Sequence, residues 1–175
     1  MKRRLAALVV VIAALAATYL FLVRDTTVAP TVVPSQPTAV IGAGSSAVAV
    51  GADGEILTWL PAPEDGSLPR LPLSEPPKGG RLQGPVLQQA LVLGATPPAL
   101  RQYVESSYYG ESGVDVNLKA GIELRFGDAS QAARKWRAAA AILASPSTIT
   151  LDYVDLHAPA RPTTGGSGHT LPTAP

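Results

Sequence analysis

Three hydrophobic rhythms divide the chain. From Leu5 to Val23 the sequence LAALVVVIAALAATYLFLV runs about 19 residues without a charge, long enough for a helix to cross a hydrocarbon core. From Val114 to Phe126 apolar and polar residues alternate. Val116 and Leu118 take turns with Asn117 and Lys119, then Ile122, Leu124 and Phe126 with Glu123 and Arg125. A period of two is what a half-solvated antiparallel hairpin needs. From Ala129 to Ala144 the spacing turns helical, with Ala132, Trp136, Ala139, Ala140 and Leu143 on one stripe. Asp128 or Ser130 stands ready to cap that helix, and Ser145-Pro146 to end it.

Shorter elements fill the intervals. Val48 to Leu60 reads as a hairpin around the tight-turn pair Asp53-Gly54. Pro61 to Gly80 is an irregular crossing whose Leu68-Pro69 and Leu71-Pro72 pairs bring leucines to the core. Pro85 to Leu93 predicts a helix with Pro85 at its first position and Gly94 past its end. Its buried side is Val86, Leu87, Ala90, Leu91 and Leu93, leaving Gln88 and Gln89 exposed. Arg101 to Tyr109 reads as a strand with Tyr103, Val104 and Tyr108 packed. Thr148 to Leu156 is a strand whose apolar parity changes, from Ile149, Leu151 and Tyr153 to Val154 and Leu156. Such a slip predicts a bulge or bend near Asp152-Tyr153. Trp136 is assigned to the core, and Arg134, Lys135 and Arg137 to a solvated face.

The first rhythm organises the rest. Eleven of the residues from Leu5 to Val23 are Leu, Val, Ile or Phe, which favours membrane insertion by about 4 kcal/mol. Lys2, Arg3 and Arg4 precede the run, so the N-terminus stays cytoplasmic and everything beyond Val23 lies across the membrane. A cleaved signal peptide is the rival, since Ala14-Leu15-Ala16 resembles a cleavage site, but the run continues past it through Tyr19 to Val23. The expected organisation is a basic start at 1–4, a span at 5–23, a Pro/Gly-rich spacer at 24–46, one domain at 47–158, and a disordered tail at 159–175 that buries too little to order itself.

Composition narrows the chemistry. A net charge of +1 leaves no electrostatic footprint for nucleic acid. The absence of Cys removes disulfides and thiolate catalysis, and His157 and His169 lack metal-ligand spacing. Val40 to Ala47, VIGAGSSA, matches a dinucleotide fingerprint. That motif needs a strand before the glycines and a helix after them; Pro37 cuts the strand short and Gly51-Ala52-Asp53-Gly54 forbids the helix. There is no nucleophile elbow or P-loop. Asp152 and Asp155 face opposite sides of a strand and make no carboxylate dyad. No catalytic set, cofactor, metal or small-molecule substrate is expected, and a scaffold or binding role remains.

One basic start, one span and an outer α+β domain resemble the FtsQ/DivIB family of bacterial cell-division proteins. The resemblance rests on AVAVGADGEILTWL, the Leu-Pro pairs, GIELRFGD from Gly121 to Asp128, Lys135, and YVDLHAP from Tyr153 to Pro159. It implies an antiparallel β-sheet domain with two main helices, the FtsQ-type β domain. It implies a non-enzymatic scaffold of the divisome whose last strand pairs with FtsB of an FtsB–FtsL complex during septum formation. The residues it places at that interface are Tyr153, Val154, Asp155, Leu156, His157 and Ala158, where an edge strand offers unpaired backbone groups. The chain departs from the family pattern in lacking room for the usual POTRA domain between span and β domain. A membrane-anchored or secreted envelope binding domain unrelated to division stays open as the other reading.

Overall fold

The computed structural model of the protein describes residues 36–63, 65–145 and 150–170. The expected span, Leu5 to Val23, lies outside them; among the described residues no helix is long and apolar enough to cross a membrane. The domain is α+β, and the chain pairs its strands antiparallel except at one junction. Strands β1 (Pro37–Ile41), β2 (Val48–Gly51) and β3 (Ile56–Pro61) form one sheet in that order. Strands β4 (Val104–Gly110), β5 (Gly113–Leu118), β6 (Glu123–Gly127), β7 (Tyr153–Asp155) and β8 (Thr163–Gly165) form the other, also in sequence order, with β6 and β7 parallel.

Arg70 links the two sheets. Arg70 bridges Val40 of β1 on one side and Ser106 of β4 on the other. The Val40 amide donates to Pro69 O at 3.0 Å, and the Leu71 amide to Val40 O at 2.8 Å. Pro69 and Pro72 bracket this contact and, having no N–H, keep it from lengthening into a strand. Leu71 is buried beside it, as the Leu-Pro reading expected.

Helices α1 (Gly84–Gly94), α2 (Pro98–Arg101) and α3 (Ala132–Leu143) complete the described elements. Helix α1 packs on β1, β2, β4 and β5, and α3 packs on β6 and α1. The alternation along β5 and β6 sends Val114, Val116, Leu118, Leu124 and Phe126 into the core, where Ile122 joins them. Trp136 of α3 is fully buried; its ring lies 4.9 Å from that of Phe126, tilted by 52°, and its indole N–H donates to Val92 O of α1 at 2.7 Å. The indole thus gains both apolar burial and a partner for its one polar group.

Several expectations are corrected. The folded domain begins in the supposed spacer: β1 starts at Pro37, because a proline at the first position of a strand at one end of its sheet sacrifices no ladder bond. A strand therefore does precede Gly42 and Gly44, but a 3₁₀ turn (Gly44–Ser46) and β2 follow, not a helix. Neither Asp128 nor Ser130 caps α3. Its N-cap is Gln131, with φ of 54°, while the Asp128 carboxylate accepts the Ser130 amide at 3.1 Å and hydroxyl at 2.6 Å. Gln89 is buried and Gln88 half-buried, because α1 is covered by α3 as well as by the sheets. Gln89 Oε1 accepts the Ser107 hydroxyl at 3.0 Å and Gln88 Oε1 the Ala129 amide at 2.9 Å. Tyr103 and Tyr108 stand exposed.

The largest correction is at the C-terminus. Within the tail expected to be disordered, 159–175, Thr163–Gly165 forms β8 and closes over β7. The segment buries little apolar surface; backbone hydrogen bonds and the Asp152 carboxylate order it instead.

Candidate partner-binding rim

The end of the second sheet is shaped by the parity change that the sequence displays. Leu151, Val154 and Leu156 are all buried, which strict alternation forbids. The chain bends at Asp152 and resets the phase, so β7 buries Val154 while Tyr153 and Asp155 look outward, half-buried. β7 docks on β6 through the Glu123 amide to Asp152 O at 2.9 Å and the Leu156 amide to Arg125 O at 2.8 Å.

Opposite the helices, the sheet carries a continuous polar network. Tyr108 Oη donates to Glu123 Oε1 at 2.7 Å, and Arg125 pairs with Glu123 Oε2 at 3.2 Å. The Arg125 guanidinium sits 4.0 Å over the Tyr153 ring, a contact worth about 0.5–1 kcal/mol at an exposed site. Partial desolvation and the bond to Glu123 push the Tyr108 phenol up to about 12. The Arg125 hydrogen bond holds Glu123 below its ordinary range. Burial raises the Asp115 carboxyl, with the Glu123 charge acting in the same direction.

His157 fastens the end of this strand. Its Nδ1 lies 2.8 Å from Asp155 Oδ1, its amide donates to the same oxygen at 2.9 Å, and Nε2 lies 3.2 Å from Ser112 O in the β4–β5 turn. The Asp155 hydrogen bond raises the imidazole above its ordinary pKa. Burial works to raise Asp155, but the amide and ring of His157 outweigh it and leave the carboxyl below its usual range.

Of the six residues expected at an interface, two belong to the core: Val154 and Leu156 are fully buried. Tyr153 and Asp155 lie on the open face, and His157 and Ala158 are exposed. The expected open edge is not open. Tyr153 pairs with Gly165, Val154 with Thr164 and Asp155 with Thr163, which makes β8 the last strand. Sequence reasoning missed that cover. Its one local signal was the β-branched pair Thr163-Thr164 ahead of two glycines; the reach from His169 back to Asp152 leaves no periodic trace. Lys135, expected on a solvated face, is buried and fully engaged, donating to Phe126 O at 2.8 Å and to Asp128 O and Oδ1 at 2.9 Å. Among the described residues no cluster of three metal-ligating side chains occurs.

These elements define a class: an α+β domain in which helices cover one face of a mostly antiparallel sheet and, among the described residues, β8 is that sheet's last strand. The family described as Cell division protein FtsQ/DivIB, C-terminal, matches residues 39–157, and the chain belongs to it. The match opens inside β1 and closes at His157, so it takes in β7 and leaves β8 outside. No curated protein matches the chain.

Proposed function

We propose that this division protein is a non-enzymatic scaffold held in the cytoplasmic membrane by Leu5 to Val23, with its N-terminus inside and its domain outside. Its rim at Tyr153 to Ala158 receives a strand from an FtsB/FtsL-type membrane partner during septum formation. The observation that carries the reading is the position of β7, inside the family match and one short strand from the end of the sheet. Sheet ends recruit extended segments through backbone hydrogen bonds; beside β7 that place is held by β8, and side chains around it such as Tyr153 and His157 supply specificity. The uncharged run and the triplet Lys2-Arg3-Arg4 support the anchor and its orientation.

Deleting Tyr153 to His157 is a poor test, because Val154 and Leu156 would leave the core with them. A photo-reactive amino acid at Tyr153 keeps the fold. In dividing cells a tagged copy carrying it should form a midcell band and cross-link to an FtsB- or FtsL-type protein. A uniform envelope outline with no such cross-link would sink the proposal.

A further inference from the structure

The segment beyond the family match is fitted to the rim with unusual closeness. The Asp152 amide donates to Gly165 O at 2.8 Å and the Leu151 amide to His169 O at 3.0 Å. Asp152 Oδ1 accepts the Gly168 amide at 2.7 Å and lies 3.1 Å from His169 Nδ1. Three glycines make this approach possible. A Cβ on Gly165 would stand 2.6 Å from the Tyr153 ring, one on Gly168 would stand 2.6 Å from Asp152 Oδ1, and one on Gly166, whose φ is +81°, would run into Asp152 Oδ2. Across the seam, the His169 ring occupies the space a side chain on Gly121 would need.

The seat is specific in geometry and light in burial. Thr163 and Thr164 are exposed and Gly165 is half-buried, and the segment is glycine-rich, so ordering it costs more chain entropy than most sequences. The ladder bonds it makes are of the kind an incoming strand would make in its place.

We propose that Thr163 to His169 is a resident cover on the partner rim, and that an incoming extended segment binds by displacing it. This rests on the strand-addition reading of the rim. It adds that the free protein is self-complemented, so apparent affinity falls by the fraction of molecules whose rim is uncovered.

The test compares three chains that all keep residues 1–160, each in detergent: native, one stopped after Ala160, and full-length Gly166→Val. Amide exchange at Leu151 and Asp152, which face the tail, reports the cover. The Leu156 amide, bonded to Arg125 O on the other side of the strand, reports that β7 is still docked. Both altered chains should lose protection at Leu151 and Asp152 and keep it at Leu156. A synthetic peptide spanning Arg161 to Thr170 should restore it to the stopped chain. A labelled FtsB-type peptide should bind the altered chains about tenfold more tightly than the native one and should release the Thr163 to Gly165 amides when it binds native protein. Equal affinity for all three chains, with the tail still protected in the complex, overturns the displacement and leaves strand addition standing. Absence of binding to every chain overturns the reading beneath it as well.

Discussion

Lys135 shows how far a residue's character can be remade by its neighbours. Its ammonium is buried where the end of β6 meets the turn before α3, and it collects two carbonyls and a carboxylate. Lys135→Met keeps the stem and removes the donors, leaving the Phe126 carbonyl buried without one. We expect a loss of about 1–3 kcal/mol, read from the denaturant midpoint. The same contact helps draw the Asp128 carboxyl down to about 2, after the larger effect of the Ser130 hydroxyl. His157 gives the complementary pH dependence. Its folded pKa is raised above 6.5 by Asp155, so its tie to β7 contributes fully below 6.5 and is lost as pH rises through the folded value. An NMR titration of the ring should place the midpoint above 6.5, and Asp155→Asn should return it toward that value. A native midpoint at or below 6.5 would mean that the pair does not form.

At the scale of elements, pattern and burial agree wherever one face alone is covered. Strand β6 and the Trp136 stripe follow their periods because each meets the core on one side, whereas in β5 the polar-parity Asp115 is buried as well. Trp136→Ala should cost about 3–5 kcal/mol in an unfolding measurement, since it empties a fully buried site and removes the shorter of two hydrogen bonds to Val92 O, leaving the Ala95 amide at 3.3 Å. Pattern fails where an element is covered twice, as α1 is, because Gln89 then needs a partner from another strand that its own helix cannot announce. The Asp53-Gly54 turn was readable for a local reason: Gly54 has φ of +82°. Its environment was not readable, because a Cβ there would also meet Leu87 of α1. Gly54→Val should therefore lower stability by more than the roughly 1 kcal/mol of a turn glycine alone, which a parallel unfolding series with Asp53→Ala would reveal.

For the whole molecule, membrane anchoring and partner binding are separable properties. If Leu5 to Val23 spans the membrane, the chain should stay in the pellet through alkaline carbonate extraction, and replacing Val10 and Ala14 with Arg should release it or abolish its insertion. Recovery of the native chain in the soluble fraction would end the anchored reading. Composition, the uncharged run, the hairpin turns and the helical stripe were all settled by neighbours within a few positions, because hydropathy period and turn stereochemistry are local properties of a chain. The tertiary structure alone decided that Arg70 stitches two sheets, that Lys135 lies inside, and that the glycine-rich tail returns to cover β7. The first and last depend on backbone groups distant in sequence meeting in space, and Lys135 on carbonyls of a turn that folds back over it; a backbone carbonyl awaiting a donor looks the same beside every side chain.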